Sequence, residues 1–163
     1  PPARTRLPVG LGDRFPELSE TARGVVIPAV GEMTSPVSGE PCVAYRVTAS
    51  LQAPDSNLVG ERLLDESWGV DFRVGEMVVR CDSVLVDLPV QRVHKVAFEH
   101  EREDIVQFLR QRGIDPAAGT IFLTESSVKR DDEVRVDATE DGSLAVITST
   151  QSRRQRKGQS PYR

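Results

Sequence analysis

Arg23-Gly24-Val25-Val26-Ile27-Pro28-Ala29-Val30-Gly31-Glu32-Met33-Thr34-Ser35-Pro36-Val37-Ser38-Gly39-Glu40-Pro41-Cys42-Val43-Ala44-Tyr45-Arg46-Val47 is the stretch that decides the fold. Two β-rich runs, Val25–Ile27 and Cys42–Val47, flank a turn-forming cluster from Ser35 to Pro41. Two prolines, a glycine and two serines in seven residues leave the chain little freedom except a fixed, bent connection. A stiff loop between strands holds a shape or presents a surface. It carries no nucleophile–base pair.

Working outward, Cys42 to Leu51 alternates two residue sets and reads as a strand, as does Ala22–Val30. Gln52–Leu64, with Pro54, Asp55, Asn57 and Gly60, reads as a long hairpin loop. Strand character resumes at Leu63–Val74, around Trp68, Val70 and Phe72. Gly75-Glu76 turns the chain into Met77–Cys81, and Val84, Val86 and Leu88 form a further run that Pro89 ends. Glu101–Arg112 is the single helix: Ile105, Phe108 and Leu109 make one apolar stripe, acids favour its start, basic residues its end, and Gly113 stops it. Thr120–Thr124 returns to strand, Glu125–Asp132 reads as a polar connection, and Glu133–Ala138 and Ser143–Thr148 flank an Asp141-Gly142 hairpin turn. Strands and turns at this spacing predict a mainly β domain, a small antiparallel barrel of OB-like type with one packed helix. The expected organisation is an irregular Pro-rich arm over 1–21, a β-rich domain over 22–149 and a basic tail over 150–163.

Charge is unevenly spread along the 163 residues. All 25 acidic residues and 16 of the 21 basic ones precede Thr150, a net of −9. The tail carries Arg153, Arg154, Arg156, Lys157 and Arg163 with no acid. A negative body argues against a nucleic-acid face, and the aromatic residues sit at core-like positions rather than along a basic groove. The tail is read as a solvated terminus whose Arg153, Arg154, Arg156 and Lys157 are the candidate contacts for phosphate or an anionic membrane surface. No stretch approaches the ~18–20 apolar residues that cross a bilayer. A chain opening at Pro1 rather than Met is read as a fragment or a processed form.

The reactive side chains assemble no recognisable machinery. Cys42, Cys81, His94 and His100 are the four Cys and His residues, and none lies at ligand-pair spacing, so neither a metal nor a cofactor is expected. Two cysteines that open or end strands read as buried thiols rather than a bridge. Ser38 lies in no nucleophile elbow, and the acids occur in solvated runs. No glycine-rich phosphate loop is present. A hydrolase working through Cys42 or Ser38 is therefore a minor alternative.

Several segments taken together resemble the GIDE, or beside-a-membrane, domain family. They are the Gly24-Val25-Val26 strand, Ser35 to Arg46, Val70-Asp71-Phe72-Arg73-Val74, Val84-Leu85-Val86-Asp87-Leu88, Phe122-Leu123-Thr124-Glu125-Ser126-Ser127-Val128 and Glu133-Val134-Arg135-Val136. The resemblance covers about Arg23 to Ile147 and rests mostly on turn residues, a Pro-Cys strand start and a Thr-Glu step. It implies a non-enzymatic, partner-recognising domain in a membrane-associated protein, similar to bacterial members that lack a RING. A RING requires eight Cys or His ligands for two zinc ions, and this chain has four such residues, so ubiquitin ligase activity is not implied. The expected partner surface is Ser35, Pro36, Ser38, Gly39, Glu40 and Pro41, with Tyr45 and Arg46 beside them. The cytoplasm or the cytoplasmic face of a membrane is the expected compartment, and a phosphate- or nucleic-acid-binding module acting through the tail is the alternative. Oligomeric state is left open by the sequence.

Overall fold

Alternation along Ala44–Gln52 sorts its side chains to two sides of a sheet, and this strand, β5, organises everything around it. The structure is a computed structural model that describes residues 3–6, 18–52, 60–80, 84–141 and 143–150. Tyr45, Val47 and Ala49 face one apolar cluster, and Ala44 faces another.

In chain order the strands are β1 (Ala3–Arg6), β2 (Leu18–Pro28), β3 (Met33–Thr34), β4 (Pro41–Cys42), β5, β6 (Glu61–Gly69), β7 (Phe72–Val74), β8 (Met77–Val79), β9 (Val84–Val86) and β10 (Arg92–Lys95). Helix α1 (Glu103–Arg110) follows, then β11 (Thr120–Val128), β12 (Glu133–Thr139) and β13 (Ala145–Ser149). One sheet runs β1-β6-β5-β11-β10, a second runs β8-β7-β2-β12-β13-β9, and β3-β4 form a two-stranded hairpin. Among the described residues the domain is mainly β with a single helix, as the sequence predicts, and one sheet curls into a half-barrel.

Two clusters fill the fold. The first joins Val26, Phe72, Val74, Val84, Val134 and Ile147 of the second sheet to Ala44 and Val128 of the first and to Val43 in the bend before β5. The second lies under the helix, where Ile105 and Leu109 pack on Val47, Ala49, Ile121 and Leu123. Their i, i+4 spacing gives α1 one apolar stripe, and a helix this short depends on such packing.

Several expectations need correction. The arm expected over 1–21 is not irregular throughout, because Ala3–Arg6 pairs antiparallel with Glu66–Gly69 and β2 begins at Leu18. The hairpin between β5 and β6 is shorter than Gln52–Leu64, since pairing resumes at Glu61. The helix begins at Glu103, and Glu101 lies outside it. The connection expected over Glu125–Asp132 is only the turn 129–132: β11 continues to Val128 with Glu125, Ser126 and Ser127 buried. Strand β10 reads as nothing in sequence, having one apolar residue in four. Finally, the sheets are not wholly antiparallel. Strand β9 runs parallel to β13, and the Val86 N–H donates to Ser67 Oγ at 3.3 Å, tying the second sheet to the first.

Candidate functional site

The loop 35–41 closes the β3–β4 hairpin, and its own residues fold it tightly. The Ser35 N–H donates to the Glu40 carbonyl and the Gly39 N–H to the Ser35 carbonyl, both at 3.0 Å. Gly39 has φ +72°, a left-handed conformation that glycine adopts without steric cost. Val37 plugs into the cluster beneath the helix.

Four residues distant in sequence then hold the loop. From β11, Glu125 Oε2 accepts the Val37 N–H at 2.7 Å and Oε1 accepts the Ser38 N–H at 3.2 Å. Glu125 is 3% exposed. A buried carboxylate is costly unless its oxygens are satisfied, and here loop backbone donors do so. Arg102, just before α1, donates from Nη1 to the Val37 carbonyl at 2.9 Å. Glu40 at the loop's outer side pairs with Arg92 of β10 at 3.2 Å and with Lys129. The hydrogen bond from Lys129 holds the Glu40 carboxyl below its ordinary range.

The eight residues expected to form one partner surface do not all do so. Pro36, Ser38, Gly39, Glu40 and Pro41 are at least partly accessible, whereas Ser35 is buried. Tyr45 is also buried, under the helix, and burial pushes its hydroxyl pKa up. Arg46 alternates to the opposite face of β5. There its guanidinium forms a forked pair with Asp65, two bonds of 2.8 Å, and reaches the Val86 carbonyl. Tyr45 and Arg46 therefore belong to the framework rather than to the loop's outer face. Arg153, Arg154, Arg156 and Lys157 lie outside the described residues.

Sequence reading missed Arg92, Arg102, Glu125 and Lys129 as members of the site. A signal existed for one of them. Ile121, Leu123 and Glu125 lie two apart, so a strand extended past Thr124 would put Glu125 on the core face. The other three come from segments that only the tertiary fold brings together.

The reactive groups are otherwise engaged. Cys42 is fully buried, and burial pushes its thiol up to about 12, so almost no thiolate forms near neutral pH. Ser38 Oγ bonds with Ser35 Oγ and accepts the Glu40 N–H. His94 Nε2 lies 2.8 Å from Glu101 Oε1, and Glu101 also accepts the Ala97 N–H. Glu66, 0% exposed, pairs with Arg112, whose guanidinium sits 3.7 Å over the Phe108 ring. That pair fastens the end of α1 to β6. Cys81 lies outside the described residues; among those described, no three His, Cys, Asp or Glu side chains gather to hold a metal ion. A cleft of about 420 Å³ opens between Leu88, Gln91, Asp131 and Val134, next to Asp132, whose carboxylate closes a turn by accepting the Lys129 N–H at 2.8 Å. Among the described residues no helix is long and apolar enough to cross a membrane. No protein-family model, no curated protein and no solved structure matches this chain.

Proposed function

We propose that this domain recognises a protein partner through the face built on the loop 35–41, as a non-catalytic part of a membrane-associated protein. One observation carries the reading: a buried carboxylate, Glu125, is used to fix the backbone of a surface loop. A loop held this way loses little further entropy when a partner docks, which favours affinity. Around its rim stand Pro36, Ser38, Gly39, Glu40 and Pro41, with Arg92, Arg102 and Lys129 adding charge. The buried Cys42 thiol supports a non-catalytic reading, because the thiolate is the nucleophile. The membrane setting comes from the resemblance to the beside-a-membrane family, and the basic residues of the tail suit anionic headgroups.

The test is affinity capture from membrane and soluble fractions, quantified for the wild type, for a Pro36→Ser/Glu40→Arg variant, and for the remote variant Glu76→Lys. Capture of a partner from the membrane fraction that the loop variant loses and Glu76→Lys keeps is the expected result. Identical capture by all three would remove the loop from any recognition role. Co-sedimentation with phosphatidylserine vesicles, with and without residues 151–163, separates the tail's contribution.

A further inference from the structure

Strand β10 ends its sheet, and its chemistry departs from that of the rest of the chain. It pairs antiparallel with β11 from Arg92↔Glu125 to Lys95↔Phe122, and the Val96 N–H donates to the Ile121 carbonyl at 2.9 Å. Backbone groups alternate sides along a strand. Arg92 and His94 therefore face β11, while Val93 and Lys95 turn their N–H and C=O groups outward. Among the described residues no strand lies beyond β10 and no backbone hydrogen bond reaches those groups.

The same segment exposes apolar side chains: Val90 is 57%, Val93 63% and Phe98 49% exposed. Its ionisable residues are Arg92, which shares Glu40 with Lys129, His94, which meets Glu101, and Lys95, with no acid in the strand itself. That is a basic edge on a body whose net charge before Thr150 is −9.

We propose that β10 is a docking edge that takes an extended, acidic segment of a partner protein as an added strand. The inference rests on the recognition reading above and adds the partner's chemistry. Main-chain bonds to Val93 and Lys95 would seat the strand, as strand addition does at other sheet edges. Acidic side chains would face Arg92 and Lys95, and an apolar one would cover Val93. A second copy of this chain suits the edge poorly, because self-pairing would crowd Arg92, His94 and Lys95 from both copies into one short ladder. The basic segment after Thr150 meets the same repulsion. Lysine on a short edge also discourages indiscriminate pairing, which leaves an acidic strand as the favoured guest.

The test uses the full chain and hydrogen exchange read by NMR, with millimolar Glu-Val-Asp-Val-Glu-Val-Asp peptide, end-blocked, against the same peptide with Lys at every acidic position. The acidic peptide should slow exchange at the Val93 and Lys95 amides, and the basic one should not. Val93→Pro removes an outward N–H while leaving the ladder to β11 intact. It should weaken binding about tenfold or more, the loss of roughly one hydrogen bond's worth of free energy. Lys95→Glu should weaken it comparably and serves if proline disturbs the strand. Unchanged exchange at both amides, or wild-type affinity in both variants, would overturn the proposal. So would amides already slow in the free protein; sedimentation would then assign the cover to a second copy or to the chain itself. A partner that needs the loop 35–41 yet leaves Val93 and Lys95 unprotected would keep the recognition reading and discard this one.

Discussion

At the residue scale, two buried acids show how the same side chain serves different ends. Glu125 and Glu66 flank Val47 from neighbouring strands, since Val47 pairs with both in register. Glu66 meets a guanidinium, whereas Glu125 meets only backbone N–H groups of the loop. Replacing Glu125 by Ala strands the buried Val37 donor and the part-buried Ser38 donor, at a cost of about 1–3 kcal/mol for a buried group and less for the other. Glu125→Ala is therefore expected to lower unfolding free energy by about 2–4 kcal/mol, and Glu125→Gln, which keeps one acceptor, by less. Urea titration checks the order, and equal stability of the two variants would show that the loop is not held by this contact. Cys42 supplies a second prediction. A thiol raised to about 12 and closed to solvent should resist thiol reagents at pH 7 and react at the rate of global unfolding. Fast labelling in the native state would contradict the burial and reopen a nucleophilic role.

At the element scale, legibility followed pattern strength. Helix α1 was visible because Ile105, Phe108 and Leu109 make a stripe, and β5 because its residues alternate. Strand β10 was not, because an edge strand of the form Arg-Val-His-Lys buries almost nothing and so leaves no apolar period. The second half of β11 was hidden for the opposite reason. Glu125, Ser126 and Ser127 are polar yet buried, and Glu125 and Ser127 find partners far away in sequence, the loop and Gln91. The loop 35–41 was legible as rigid from its own prolines and glycine, but its anchors were not. The expected Asp141-Gly142 turn includes Gly142, which lies outside the described residues, but Asp141 and Ser143 beside it yield a pH prediction. Asp141 Oδ1 accepts the Ser143 N–H at 3.0 Å and the Thr139 hydroxyl at 2.7 Å. The backbone bond from Ser143 is the main cause that lowers its pKa from 3.8 to about 2. A depressed folded-state pKa stabilises the hairpin above the unfolded value and loses that contribution as pH falls toward 2. Exchange at the Ser143 amide should thus quicken, relative to a remote reference amide, between about pH 4 and pH 2. In Asp141→Asn this acid-dependent step should vanish; its persistence would assign the step to another carboxylate.

At the scale of the whole molecule, the two apolar clusters share two strands, β5 and β11, and should melt as one unit. Strand β5 gives Ala44 to the cluster between the sheets, and Tyr45, Val47 and Ala49 to the cluster under the helix. Strand β11 does the same with Val128 on one side and Ile121 and Leu123 on the other. Strand β9 adds a second tie, bonded in parallel to β13 and through Val86 to Ser67 and Arg46. Neither cluster can therefore open while the shared strands stay paired. Leu109→Ala removes a fully buried side chain beneath the helix, and Phe72→Ala removes one between the sheets. Each substitution should cost about 2–5 kcal/mol through lost burial and the cavity left behind. Both should shift a single transition, seen alike by far-ultraviolet circular dichroism and by Trp68 fluorescence. Trp68 packs on the helix-side cluster, so its fluorescence reports that half directly. If Phe72→Ala instead produced an early circular-dichroism step while Trp68 fluorescence kept the wild-type midpoint, the second sheet would unfold by itself. The shared strands would then not couple the two halves, and the loop 35–41, seated on the helix-side cluster, could keep its shape after the other sheet was lost.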